Sequence, residues 1–166
     1  MNKKTALFIG RFQPLHFGHL EAIRQIAREK DIEKLIIGIG SSQESFTSYN
    51  PFTAKEREEM LLASLKLDIP FEVKGIPDFA DNDEWTKELL DKYFKGEVVY
   101  SGNPLVIKLL TEAGLEVKNP PHIDNPSATE IRRLITEGKE WEKYVPDEVQ
   151  KIIKQINGIQ RLRDSS

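Results

Sequence analysis

Short unbroken apolar runs alternate along this chain with stretches where apolar residues recur every three or four positions. That is the pattern of strands covered on both faces separated by amphipathic helices. Ala6-Leu7-Phe8-Ile9 is the first run, and Leu20, Ile23 and Ile26 after it share one helix face. Leu35-Ile36-Ile37-Gly38-Ile39 is the second. Thr53-Ala54-Lys55-Glu56 is a capping box, and Met60, Leu61 and Leu65 form the apolar side of the helix it opens. Phe71 to Ile76 alternates as a strand, and Asp83 or Asn82 caps a helix through Trp85, Leu89, Leu90 and Phe94. Val98-Val99-Tyr100 is a short strand. Asn103-Pro104 then opens a helix with proline at its first position, and Gly114 ends it. Leu115 to Lys118 is a fifth strand. A proline-rich loop follows, from Asn119 to Pro126, and Ser127-Ala128-Thr129-Glu130 is a second capping box for a helix that stops near Gly138. A last helix, roughly Asp147 to Asn157, stops at Gly158. The expectation is an α/β fold: a doubly wound parallel sheet of about five strands, with helices on both faces and a C-terminal helical segment. A ligand then belongs at the carboxyl ends of the strands, near the point where the winding reverses.

The 166 residues contain no linker, repeat or low-complexity stretch, so a single domain over residues 1–166 is expected. A chain of this length buries roughly two-thirds of its unfolded surface. The longest apolar run is far too short to span a membrane, and no hydrophobic stretch before Ala6 suits a signal peptide. The absence of cysteine fits a cytoplasmic protein. A net charge of −3 argues against a general nucleic-acid binder, which carries a basic stripe. Any anion bound here is small and held by a few placed groups.

One segment carries the chemistry. Gly10-Arg11-Phe12-Gln13-Pro14-Leu15-His16-Phe17-Gly18-His19 joins the first strand to the first helix and holds two of the three histidines of the chain. A glycine turn at that place gathers backbone N–H groups and a helix N-terminus around one point, which suits phosphate. Two histidines at this spacing also suit a metal, but with no cysteine and only His122 elsewhere, a cage would need carboxylates. There is no GxxxxGK[ST] loop, and Gly38-Ile39-Gly40 lacks the third glycine of a dinucleotide fingerprint, Gln43 standing in its place. The glycines there read as permitting close backbone approach at a strand end. Ser127-Ala128-Thr129-Glu130-Ile131-Arg132 is first of all a capping box, yet its hydroxyls and arginine also suit an anion at a helix start. Two such helix starts hold a triphosphate from both sides.

Gly10 to His19 resembles the HxGH signature of the nucleotidyltransferase superfamily, and Ser127 to Arg132 resembles its second signature. The nearest resemblance is to the archaeal-type nicotinamide mononucleotide adenylyltransferases. It is carried by the GRFQPxHxGH opening, Asn50-Pro51-Phe52-Thr53 to Glu56-Arg57, Tyr100 to Pro104, and Gly158-Ile159-Gln160-Arg161, and covers essentially the whole chain. Between Ser45 and Asn50 the chain departs from it: Phe46-Thr47-Ser48-Tyr49 stands where the family has a histidine and often a basic residue.

The resemblance implies a Rossmann-like fold and adenylyl transfer from ATP to nicotinamide mononucleotide, giving NAD and pyrophosphate by in-line attack without a covalent intermediate. It implies catalytic roles for His16, His19, Arg11 and Arg132. ATP contacts fall to Gly10, Arg11, Phe12, His16, Gly18, His19, Gly102, Ser127, Thr129, Ile131 and Arg132. Asn82 and Trp85 match an Asn-x-x-Trp that holds the nicotinamide; as a lone helical tryptophan, Trp85 reads equally well as core. Trp141 has no such match and reads as packing. Mg2+, or another divalent cation, arrives on the ATP phosphates rather than in a protein cage. A cytoplasmic homo-oligomer, with the hexamer among its forms, and no nucleic-acid or membrane partner complete the expectation. Superfamily members acting on flavin, pantetheine-phosphate or glycerol-phosphate acceptors are alternatives, which the GRFQP opening and the Asn82–Trp85 pair argue against. A non-catalytic nucleotide sensor is another, against which stand both HxGH histidines.

Overall fold

The computed structural model describes residues 2–166. Five parallel strands form one sheet in the order β3-β2-β1-β4-β5: β1 is Lys4–Gly10, β2 Ile32–Ile39, β3 Phe71–Gly75, β4 Val98–Tyr100 and β5 Glu116–Lys118. Strand numbers run outward from β1 in both directions. The winding therefore reverses between β1 and β4, and the crevice opens where the two crossovers part. The doubly wound sheet expected from the alternating runs is the observed one.

Successive residues of the central strands point to opposite faces. Ala6 and Phe8 of β1, with Leu35, Ile37 and Ile39 of β2, face the larger core; Leu7 and Ile36 face the smaller. The larger core is covered by α1 (Phe17–Ala27), α2 (Ala54–Ser64), α5 (Ala128–Thr136), α6 (Asp147–Gln155) and α7 (Gly158–Asp164). The smaller is covered by α3 (Asn82–Glu88), a π-helical turn over Leu89–Tyr93, and α4 (Pro104–Glu112). Trp141 is buried in the larger core, as its reading as packing requires. Among the described residues no helix is long and apolar enough to cross a membrane.

The helix starts refine the expectations. Thr53 and Glu56 make both bonds of a capping box. The second box is only half made: Ser127 Oγ accepts the Glu130 N–H at 3.2 Å, while the Glu130 carboxylate turns to Arg133. Asp81, not Asn82 or Asp83, caps α3, its Oδ1 accepting from the N–H groups of Asp83 and Glu84. Three adjacent residues of cap-forming type made that choice illegible. Nor does the last helix end the fold at Gly158. The chain turns at Asn157 (φ 57°) and Gly158 begins α7. A Cβ at Gly158 would lie 3.0 Å from both Ile153 O and Phe52 Cε1, so this glycine marks a close approach instead of a stop. Gly38 likewise leaves room for Ile76, whose Cδ1 would lie 2.5 Å from an added Cβ, whereas Gly40 faces no such crowding.

Candidate active site

The turn between β1 and α1 is organised by its own histidines. His16 is the N-cap of α1: the His19 N–H donates to His16 Nδ1, and the His16 N–H donates to His19 Nδ1, each at 3.3 Å. Both rings thus do the work of a capping box, and they stack at 3.7 Å between centroids. A neutral imidazole whose Nδ1 accepts carries its proton on Nε2. Asn125 Nδ2, at 3.3 Å from His16 Nδ1, fits the same tautomer. Burial pushes His16 down to about 4; it pushes His19 well below the ordinary histidine value, with His16 beside it adding to the effect. At neutral pH the pair is two uncharged N–H donors of fixed tautomer.

The glycine in HxGH has a specific cause. A Cβ on Gly18 would lie 2.7 Å from His16 Cε1 and 2.9 Å from Nδ1, so only glycine leaves the His16 ring in its capping place. The left-handed residue of the turn is not a glycine but Phe12 (φ 52°). Its buried ring meets His19 edge-on at 4.9 Å, and a Cβ on Gly10 would lie 3.0 Å from it.

The second signature packs directly against the first. Arg132 is buried, and its Nη1 donates to Gln13 O at 2.8 Å while Nη2 reaches Thr129 Oγ1 at 3.3 Å. Gln13 in turn clamps Phe52, accepting from its N–H at 2.9 Å and donating to its carbonyl at 3.0 Å. Burial, and then the charge of Arg11, lower the Arg132 pKa. Ser127 and Thr129 are exposed at the start of α5, whereas the Ile131 side chain lies in the core.

Two cavities flank the HxGH turn. One, of about 460 Å3, runs from Gly10 and Arg11 at the strand ends to Asn82 and Trp85 of α3, with Gly102 on its rim. Asp78 lines it too, paired with Gln43 through two bonds of 2.9 and 3.0 Å. Trp85 is half-buried, packing on the smaller core with one side while lining this cavity with the other. The second cavity, about 450 Å3, is lined by His16, Gly18, His19, Gly102 and the loop Asn119 to Asn125. Thr129 and Arg132 border a third hollow beside Tyr49. The departing loop presents Phe46 (φ 58°) and Tyr49 to solvent, with the Arg161 guanidinium 4.1 Å from the Phe46 ring centroid.

Sequence reasoning passed over Gln13, Asn125 and Arg57 as parts of the site. For Arg57 a signal existed, because it shares the buried face of α2 with Met60, Leu61 and Ser64, at steps of three, four and seven.

Residues 7–82 match the cytidylyltransferase-like family model. Over the whole chain, a nicotinamide-nucleotide adenylyltransferase of Methanothrix thermoacetophila is 43% identical, covering 98% of this chain and 96% of that protein. The proteins of the same name from Methanosarcina barkeri and Archaeoglobus fulgidus are 46% and 44% identical over 97% of this chain. The chain belongs to the nicotinamide-nucleotide adenylyltransferase family. Membership makes it a nucleotidyltransferase of NAD biosynthesis, acting by adenylyl transfer. The family fold is seen again in two structures of a bifunctional NMN adenylyltransferase/ADP ribose pyrophosphatase from Francisella tularensis, one of them with AMP and a manganese ion. TM-scores are 0.75 and 0.77 at 23% and 24% identity, and the chain spans about half the length of those proteins.

Proposed function

We propose that the chain joins ATP to nicotinamide mononucleotide by a single in-line displacement. A 5′-phosphate oxygen of the mononucleotide attacks the α-phosphorus of ATP. The new O–P bond forms as the bond to the β-phosphate oxygen breaks, and its electron pair leaves with pyrophosphate. A phosphate monoester is already ionised near neutral pH, so no general base is needed. What the reaction asks of the protein is positioning and donors where charge grows.

The mutually capped, neutral histidine pair carries this reading. Nδ1 of each ring is committed to backbone, so Nε2–H is the group left for phosphate oxygens, with His19 supporting the α-phosphate. A neutral donor of fixed tautomer needs no reorganisation as the charge develops. Arg11 neutralises the triphosphate from the exposed edge, and Thr129 and Arg132 anchor its outer end, with Ser127 and Ile131 shaping the helix start. Mononucleotide occupies the cavity of Asn82 and Trp85, and the nucleoside of ATP occupies the one lined by His16, Gly102 and Asn119 to Asn125. Gly102 borders both, so the two phosphates meet over the HxGH turn. ATP brings its own divalent cation, Mg2+ in our reading, which shields phosphate charge. Among the described residues no three His, Cys, Asp or Glu come together as a cage. The same reading carries one catalytic domain over residues 1–166, a cytoplasmic location and a homo-oligomer, which light scattering on the eluting protein measures.

The test is pyrophosphate release with NAD formation from ATP and nicotinamide mononucleotide, repeated with ATP chirally labelled at the α-phosphorus. Inversion at phosphorus supports one displacement. Retention refutes it, and absence of NAD refutes the assignment.

A further inference from the structure

Arg57 is a charged side chain with no exposed surface at all. Every one of its side-chain N–H groups is committed, and every acceptor is a backbone carbonyl: Nε to Thr53 O at 3.2 Å, Nη1 to Arg11 O at 2.9 Å and Gly40 O at 2.8 Å, Nη2 to Ser41 O at 3.1 Å and Glu44 O at 3.4 Å. None of the salt bridges among the described residues includes it. Glu56 is engaged by Arg161 and Asp78 by Gln43. A buried guanidinium without a carboxylate is costly unless the surroundings supply negative charge. Here the Glu56 and Asp78 carboxylates act on it only from a distance, and its neighbours line the cavity in which the proposed reaction holds an anionic substrate.

The position of the acceptors matters more than their number. Past the last ladder bond a strand's terminal carbonyls have no neighbouring strand to bond, and any left free at the crevice present the wrong polarity for phosphate. At the ends of β1 and β2 these oxygens are all engaged: Gly10 O by the Gly40 N–H at 2.9 Å, and Arg11 O, Gly40 O and Ser41 O by Arg57. Gly10, Arg11, Gly40 and Ser41 all line the 460 Å3 cavity. We infer that Arg57 is a positioning residue for the transfer: from beneath the crevice it turns away the strand-end carbonyls that would repel phosphate, ties the GRFQP turn to the loop after β2, and adds a positive charge that touches no substrate. Together with Arg132 on Gln13 O it braces the turn from two sides. Burial and then the nearby Arg11 bring its pKa down to about 10 against the opposing charges of Glu56 and Asp78, so it stays charged at neutral pH.

The turnover part of this inference rests on the proposed transfer; the binding part does not. The full chain is compared as wild type, Arg57→Lys and Arg57→Met. Calorimetry gives affinities for inorganic tripolyphosphate and for adenosine, melting gives stability, and steady-state assays give kcat and KM. Arg57→Met is expected to lose about tenfold or more in tripolyphosphate affinity and in kcat, with adenosine affinity held within about threefold. Arg57→Lys restores the charge, so tripolyphosphate affinity returns to within about threefold. An ammonium cannot span the Arg11 and Gly40 carbonyls as the fork does, so its kcat stays about tenfold down. Parallel loss of both ligands means a structural residue only, and normal kcat in Arg57→Lys means the fork positions nothing; either overturns the inference. If Arg57→Met does not melt cooperatively, Arg57→Lys decides by the same criteria. A wild type that binds tripolyphosphate but makes no NAD refutes the proposed reaction and leaves the comparison of affinities standing.

Discussion

Gly18→Ala is the most discriminating single change in this chain, because helix propensity and site geometry pull in opposite directions. Gly18 is the second residue of α1, where alanine gains up to about 1 kcal/mol of helix propensity over glycine. Its new methyl would begin 2.7 Å from His16 Cε1, where ordinary contact starts near 3.4 Å, so the ring must retreat by about 0.7 Å. The His16 ring has little freedom to do so. Its Nδ1 already sits 3.3 Å from the His19 N–H, close to the limit of a hydrogen bond, and its face is stacked on His19. Retreat therefore breaks the reciprocal cap and tilts both donors. A displacement approaching 1 Å in a preorganised site costs about 10²-fold in rate. The expected variant melts within a few degrees of wild type and turns over about 10²-fold more slowly. Pyrophosphate release and thermal melting on the same preparation give both numbers. Turnover within threefold of wild type, in a variant that melts normally, would refute the argument that the glycine exists for the histidine.

Three further outcomes are expected. The His16 folded pKa, about 4, lies below the unfolded value of about 6.5, so the unfolded chain takes up the proton first. The stability this site contributes is complete above about pH 6.5 and falls by about 3 kcal/mol as pH drops to about 4. Urea unfolding at pH 7, 5.5 and 4.5 measures it, and a wild-type slope that persists in His16→Gln counts against it. Trp85→Ala should raise KM for nicotinamide mononucleotide several-fold with KM for ATP little changed, on the scale of about 1 kcal/mol for an aromatic stack. Loss of tryptophan quenching by the mononucleotide checks the same contact, and normal acceptor affinity would make Trp85 core only. Arg132→Ala should weaken ATP and leave calorimetric affinity for the mononucleotide within a few-fold; equal losses would mean that its bond to Gln13 O serves the fold alone.

The strands and helices were legible because their apolar residues obey one period each, as in Leu35 to Ile39 or Leu20, Ile23 and Ile26. The HxGH turn was legible as a glycine turn between the first strand and the first helix but not as a pair of histidines capping their own helix, since capping is ordinarily the task of Ser, Thr, Asp or Asn. What stayed hidden depends on contacts distant in sequence. Nothing near Arg57 says that its fork reaches the carbonyl of Arg11, 46 positions away, nor near Arg132 that Gln13 O, 119 positions away, is its acceptor. Gly158 was misread for the same reason: a glycine after a helix is usually a terminator, and here its neighbour is Phe52.

The attachment of α7 has a consequence for how the site comes into being. Arg161 bonds the Glu56 carboxylate and Pro51 O, and Ser165 Oγ reaches Phe46 O, so the loop that Gln13 clamps is fastened by a helix about a hundred residues later. At translation rates of about 5–20 residues per second, the 105 positions between Glu56 and Arg161 take roughly 5–20 s to appear. Throughout that interval a nascent chain holds both histidines and the first two strands, but not the pin that fastens the loop after β2. The fold around the HxGH turn is thus finished last although its signature is made first, and the loop from Phe46 to Glu56 gains its last fastenings only after α7 has docked.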